Sequence, residues 1–188
     1  MTLAITHENA ADIFSRARCL YSAQQVHQAV DVMAARISGD LVGRNPLVIC
    51  LMNGGLMLTA ELGLRMPFPL QMDYIHATRY RGESSGGEIE WKHVPDSSIQ
   101  QRVVLLVDDI FDEGITLEKV RDFIIKAGAE AVYTAVLIDK QHDRKCTSLN
   151  VDYVALTAPD EFLVGWGMDY GGFFRNLDGI FCIDRQDY

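Results

Sequence analysis

Residues 103–117 read Val-Val-Leu-Leu-Val-Asp-Asp-Ile-Phe-Asp-Glu-Gly-Ile-Thr-Leu. Five apolar residues run directly into two adjacent carboxylates, Asp108 and Asp109. A short turn with Asp112, Gly114 and Thr116 follows, and then a helical pattern begins. A continuous apolar run is the mark of a strand buried on both faces of a parallel sheet. The carboxyl ends of such strands are where open α/β sheets bind ligands. Acidic groups placed there, ahead of a helix amino terminus, suit a site that handles a polyol, a metal and a phosphate together.

The flanking sequence repeats the same alternation. Upstream, residues 47–52 (Leu-Val-Ile-Cys-Leu-Met) form a second buried-strand pattern that ends in Asn53-Gly54-Gly55 and leads into a helix over 56–64. Downstream, apolar Leu117, Val120, Phe123, Ile124 and Ala127 share one helix face, and Gly128 stops that helix. Further strands are expected over 131–138, which runs into Asp139-Lys140, and over 151–156. Earlier in the chain, Val26, Val30, Met33 and Ile37 mark a packing helix over 22–41, with Ser22 and Gln25 as a capping box. Residues 70–80 and the pattern Ile89, Trp91, Val94 suggest two strands joined by a glycine- and serine-rich connection. That connection reads either as a surface loop or as a lid that excludes water from a reaction. A short strand over 180–183 closes an aromatic, glycine-rich tail. Strands alternating with helices give an α/β fold, a mostly parallel sheet flanked by helices.

Composition narrows the function classes. The 188 residues fit one domain, and 48% of them are hydrophobic. A formal charge of −9, from 26 acidic and 17 basic residues, argues against a nucleic-acid partner. It leaves room for an anionic small ligand, which backbone amides and a metal can bind locally. No stretch reads as a signal peptide or a membrane span, and the four scattered cysteines form no Cys-x-x-Cys pair. A cytoplasmic location is expected, with no membrane partner.

Taken alone, the polar residues leave alternatives open. Asp108 and Asp109 could hold sugar hydroxyls or Mg²⁺, or could be a solvated strand terminus. Gly54-Gly55 could be an anion-binding corner or a tight strand-to-helix turn. The turn at Asp112 to Thr116 has the makings of a phosphate nest, although the charge of Glu113 sits awkwardly in one. Lys140 could equally be a solvated lysine, and Phe162 a packing aromatic. The five histidines show no ligand spacing; His142 and His76 are expected to be structural or exposed.

The stretch from Val104 to Thr116 resembles the phosphoribosyl pyrophosphate signature of the type I phosphoribosyltransferases, and the wider chain resembles their hypoxanthine-guanine branch. Met52-Asn53-Gly54-Gly55 looks like the pyrophosphate loop, and Arg79-Tyr80 with the following segment like the flexible lid. Asp139-Lys140 looks like the purine lysine, and residues 162–169 with Arg175 like the purine hood. The resemblance implies one phosphoribosyltransferase domain over 1–188, its hood built from the amino-terminal part and about 158–188. It also implies the reaction: a 6-oxopurine displaces pyrophosphate from phosphoribosyl pyrophosphate, giving IMP or GMP.

Roles follow from the resemblance, residue by residue. Asn53, Gly54 and Gly55 would meet the pyrophosphate, and Arg79 and Tyr80 would cover the substrate. Asp108 and Asp109 would hold the ribose hydroxyls, partly through Mg²⁺, and Asp112 would be the general base. Gly114 and Thr116, with backbone amides of Glu113 and Ile115, would cradle the 5′-phosphate. Lys140 would donate to the purine 6-oxygen, Phe162 would stack on the base and the Leu163 backbone would read its edge. Asp169 would bind a second Mg²⁺, and Arg175 would pair with the pyrophosphate. Better-known members often carry Lys where Asn53 stands, Thr at Glu113 and Lys or Arg at Ile115, so this chain is expected to rely more on Mg²⁺ and backbone amides. A homo-oligomer, dimer or tetramer, is expected. The competing readings are a xanthine-preferring transferase and a phosphoribosyltransferase-like regulator that binds nucleotide.

Overall fold

The computed structural model describes residues 5–79 and 89–187. In chain order the elements are α1 (His7–Arg16), β1 (Arg18–Ser22), α2 (Ala23–Leu41), β2 (Leu47–Met52), α3 (Leu56–Arg65), β3 (Gln71–Arg79) and β4 (Ile89–His93). They continue with β5 (Val103–Phe111), α4 (Ile115–Lys126), β6 (Ala131–Gln141), β7 (Tyr153–Pro159), β8 (Leu163–Val164) and β9 (Gly179–Cys182).

Six strands form the main sheet in the order β4-β3-β2-β5-β6-β7. Every pairing in it is parallel except β3 with β4 at the edge. Strand β5 is central, and its apolar run explains why. Val104 and Leu106 point to one face and join a cluster with Leu117, Val120 and Ile124 of α4. Val103, Leu105 and Val107 point to the other, against Val30 and Ile37 of α2 and Leu58 and Leu62 of α3. Successive strand residues alternate faces, so a strand covered on both sides has to be apolar at each position.

The α2 helix begins as its capping box implies: Ser22 N–H donates to Gln25 Oε1 at 2.9 Å, and Gln25 N–H to Ser22 Oγ at 3.4 Å. All four residues of its expected apolar face are buried. Three boundaries differ from the sequence reading. Strand β5 runs through the carboxylates to Phe111, because β6 pairs with it as far as Phe111↔Asp139. On its other side, β2 pairs only to Cys50↔Val107, so the carboxylates lie beyond the β2 ladder while still inside β5. Strand β6 likewise continues past Ile138 to Gln141, carrying Asp139 and Lys140 within it. Strand β7 starts at Tyr153, since Asp152 ahead of it uses its side chain to accept from Thr134 N–H, 2.7 Å.

A second, three-stranded antiparallel sheet has the order β1-β9-β8. Leu163, Ile180 and Cys182 on one face join the cluster beneath α2. Val164 and Ile183 on the other pack with Ile13 of α1. Neither α1 nor β1 was expected from the sequence. Arg16 holds α1 to the carboxyl-terminal segment by a 2.6 Å ion pair with Asp187. Among the described residues, no helix is long and apolar enough to cross a membrane.

Candidate active site

The carboxyl ends of β2 and β5, the start of α4 and Arg175 enclose a cleft of about 240 Å³. Its lining includes Gly54, Asp108, Asp109, Asp112, Glu113, Gly114, Thr116 and Arg175. Eight of the residues singled out in the sequence therefore face one space.

Asp108 and Asp109 form its floor. Asp109 is buried at 9% exposure, and its backbone N–H donates to Asp108 Oδ1 at 2.9 Å. Burial, then the Asp109 charge, pushes the Asp108 carboxyl well above the usual carboxylate range. Burial also raises Asp109, although a hydrogen bond with Asp108 and the Arg175 charge work against the rise. Two carboxylates this close are both ionised only beside a counter-charge, which a cation would supply. Among the described residues no group of three or more His, Cys, Asp or Glu side chains could hold a metal. A Mg²⁺ bound by one or two carboxylates and completed by a ligand's phosphates does not need one.

The turn after β5 is set by Gly114, whose φ of +83° caps α4 in the left-handed region. Glu118 N–H donates to the Gly114 carbonyl, 3.0 Å, and Cys146 N–H to that of Glu113, 2.9 Å. Ile115, half-buried, opens α4, and Thr116 lines the cleft beside it. Across the cleft, Asn53 is exposed and follows a cis Met52–Asn53 bond. Gly54 packs on Asp109, and Gly55 is buried with its N–H on the Leu51 carbonyl at 2.9 Å.

Asp112 lines the cleft and sits in a charged cluster. Lys140 Nζ lies 3.2 Å from its Oδ2 and His142 Nε2 2.6 Å from its Oδ1. Arg144 stands 3.9 Å away, and Lys140 also reaches Asp160 at 3.5 Å. Burial alone would raise the Asp112 carboxyl, but the Lys140 charge and hydrogen bonds from His142 and Lys140 outweigh it and hold the group below the usual range. Asp112 is thus ionised at neutral pH. His142, expected to be structural or exposed, has a side chain only 5% exposed and touches the candidate base directly. Asp160 and Arg144 were not singled out either. The only sign of any of them in the sequence is nearness to Lys140 or Phe162.

Arg175 reaches the cleft from the segment before β9. It pairs with Asp169 at 2.6 Å, while Gly167 N–H donates to its backbone carbonyl at 2.9 Å. Asp169 is anchored in turn by Gly172 N–H, 2.7 Å. Phe162 lies in the second sheet's cluster, its ring 5.2 Å from that of Tyr170 and edge-on to it. Leu163 is in β8 opposite Cys182. The cleft lining includes neither of these two. Arg79 is the last residue of β3, opposite Ile89, whereas Tyr80 and the expected lid at 80–88 lie outside the described residues.

A mostly parallel sheet with a carboxylate pair and a helix amino terminus at the ends of its central strands defines an α/β protein whose cleft lies where open α/β sheets bind ligands. A family model described as the phosphoribosyl transferase domain matches residues 18–170, and the chain belongs to that family. It is 33% identical over 172 residues to a hypoxanthine-guanine phosphoribosyltransferase of Streptococcus pneumoniae, covering 91% of this chain and 95% of the relative. Solved structures agree. A hypoxanthine phosphoribosyltransferase from Staphylococcus aureus has a TM-score of 0.86 at 26% identity, over 91% of this chain and 93% of that one. A hypoxanthine-guanine phosphoribosyltransferase from Bacillus anthracis has a TM-score of 0.81 at 29% identity, over 88% and 96%.

Proposed function

We propose that the protein is a purine-salvage enzyme that transfers 5-phosphoribosyl from phosphoribosyl pyrophosphate to hypoxanthine or guanine, giving IMP or GMP and pyrophosphate. The observation that carries this reading is the 3.2 Å contact between Lys140 and Asp112. A 6-oxopurine carries an acceptor, the 6-oxygen, and an imidazole N–H side by side on one edge. An ammonium and a carboxylate placed side by side match that pair. Adenine presents a donor at position 6, which would face the Lys140 ammonium and leave both unpaired.

On binding, the purine would exchange Lys140 from Asp112 onto its own 6-oxygen. Asp112 Oδ2 would then accept the imidazole N–H. As the other imidazole nitrogen bonds to C1 of the ribose, pyrophosphate leaves with the C1–O electron pair, and the N–H proton passes to Asp112. Positioning and charge stabilisation account for most of such a catalysis. Gly114, Thr116 and the amides of Glu113 and Ile115 would take the 5′-phosphate. Asn53, Gly54, Gly55 and Arg175 would face the pyrophosphate. Phe162 and the Leu163 backbone would meet the base from the second sheet, which serves as the hood of a single domain, and Arg79 and Tyr80 would cover the substrate.

Asp108 and Asp109 would hold Mg²⁺ together with the ribose hydroxyls. Asp169 keeps carboxylate lone pairs beyond its two present bonds for a second Mg²⁺. When bound, the metal neutralises charge on the leaving pyrophosphate. Exposed Leu64 and Met72 at the α3–β3 side favour a homo-oligomer, which light scattering would test.

The direct test is nucleotide formation from phosphoribosyl pyrophosphate, Mg²⁺ and each of hypoxanthine, guanine, xanthine and adenine. Turnover of hypoxanthine and guanine but not adenine is the expected result. No product with any base would overturn the reading.

A further inference from the structure

We propose that His142 is a positioning residue for the reaction, fixing the protonation and orientation of Asp112; this rests on the phosphoribosyltransferase reading above. Arg144 backbone N–H points at His142 Nδ1 at 3.0 Å. A backbone amide can only donate, so Nδ1 is the bare nitrogen of a neutral ring and the proton sits on Nε2. That Nε2–H faces Asp112 Oδ1 at 2.6 Å. The bond is therefore a donation from a fixed imidazole to the carboxylate.

Its two ends differ in what they can do. Lys140 holds Oδ2 but is also within 3.5 Å of Asp160, so it has a second acidic partner and can turn toward a purine oxygen. The His142 ring is locked by the amide behind it and nearly excluded from water, with 5% of the side chain exposed. Oδ1 thus stays occupied while Oδ2 is freed for the base. A carboxylate pinned at one oxygen loses less freedom when the substrate arrives, and its open lone pair points one way. The groups facing Asp112 are Lys140 near the end of β6 and His142 and Arg144 just after it. Asp160, after β7, balances Lys140 and Arg144.

The arrangement parallels the general rule that a catalytic base is oriented by a third group. Here the order is inverted: the carboxylate is the base and the histidine is its orienter. His142 does not touch the purine in this scheme, so it should affect turnover more than purine affinity.

The test uses the intact protein with His142→Ala, His142→Gln and Asp112→Asn, alone and combined. Expected for His142→Ala is a kcat roughly tenfold lower with little change in purine KM, as for one lost hydrogen bond to a charged group. The acidic limb of kcat/KM should move up by about one pH unit, because the ionised carboxylate loses a donor. His142→Gln keeps a planar N–H donor and should recover part of kcat, and it guards against a folding defect in the alanine variant. In the Asp112→Asn background, His142→Ala should cost nothing further. Nitrogen NMR of the unmodified protein should show the His142 proton on Nε2. An unmoved pH limb, additive losses in the double variant or a proton on Nδ1 would each overturn the proposal. A wild-type protein inactive with every base would instead remove the phosphoribosyltransferase reading, a separate outcome read in the same assay.

Discussion

Gly54 and Asp109 are in such close contact that a methyl group on Gly54 would lie 2.2 Å from a carboxylate oxygen of Asp109. The loop after β2 can therefore approach the end of β5 only with a bare α-carbon at that position. This couples the loop to the carboxylate pair across the cleft.

Substitution Gly54→Ala should accordingly displace Asp109 or push the loop outward. Overpacking of this kind costs about 1–3 kcal/mol. The expected outcome is a raised KM for phosphoribosyl pyrophosphate, with purine KM less affected, and a lower Tm. Steady-state kinetics with each substrate varied in turn would check it. Equal effects on both substrates would argue that the loop does not face the pyrophosphate.

Asp112→Asn removes a proton acceptor while keeping the shape. A lost general base costs roughly 10²-fold or more in kcat. Purine binding, followed by calorimetry, should persist because Lys140 and the surrounding walls remain. Wild-type turnover in this variant would take Asp112 out of the mechanism.

How much of this was visible beforehand depends on how local each signal is. Strands β2, β5 and β6 could be read because burial on both faces leaves an uninterrupted apolar run, and α2 because its buried face recurs every third or fourth residue. Of the second sheet, β9 alone was expected, over 180–183. Strand β8 has two residues, and in β1 Arg18, Cys19 and Ser22 are exposed, so neither shows a period. Helix α1 buries only Ala10 and Ile13. The signature from Val104 to Thr116 was legible since one continuous segment carries it. The Asp112 cluster was not: His142 comes from 30 residues away and is brought back by the β5–β6 pairing.

Lys140→Met should test base selection. It removes the donor for the purine 6-oxygen and leaves a chain of similar length. A hydrogen bond to a charged group contributes about 1.5–3 kcal/mol, so kcat/KM for hypoxanthine should fall by roughly 10- to 10²-fold. Discrimination against adenine should narrow as well, since the clash between donors disappears. Retained hypoxanthine activity with unchanged discrimination would show that Lys140 does not read the purine edge.

The raised carboxyls of Asp108 and Asp109 give a stability prediction with a definite sign. Their folded pKa lies above the unfolded one. The folded state therefore binds more protons than the unfolded state between the two values, and stability falls as pH rises from about 4 through the folded pKa. Above that value the penalty is constant. Asp108→Asn keeps an oxygen for the Asp109 N–H but carries no charge. It should raise stability of the ligand-free protein by ~1 kcal/mol at neutral pH, the size of a common stabilising substitution. The gain should shrink toward pH ~4, where the wild-type carboxyl is itself protonated. Mg²⁺ with phosphoribosyl pyrophosphate should narrow or reverse the difference, because the wild type, with both carboxylates, holds the cation more tightly. Thermal melts across pH, with and without those ligands, would measure all three effects. A variant that melts below the wild type at neutral pH would mean the pair is already neutralised by the protein itself.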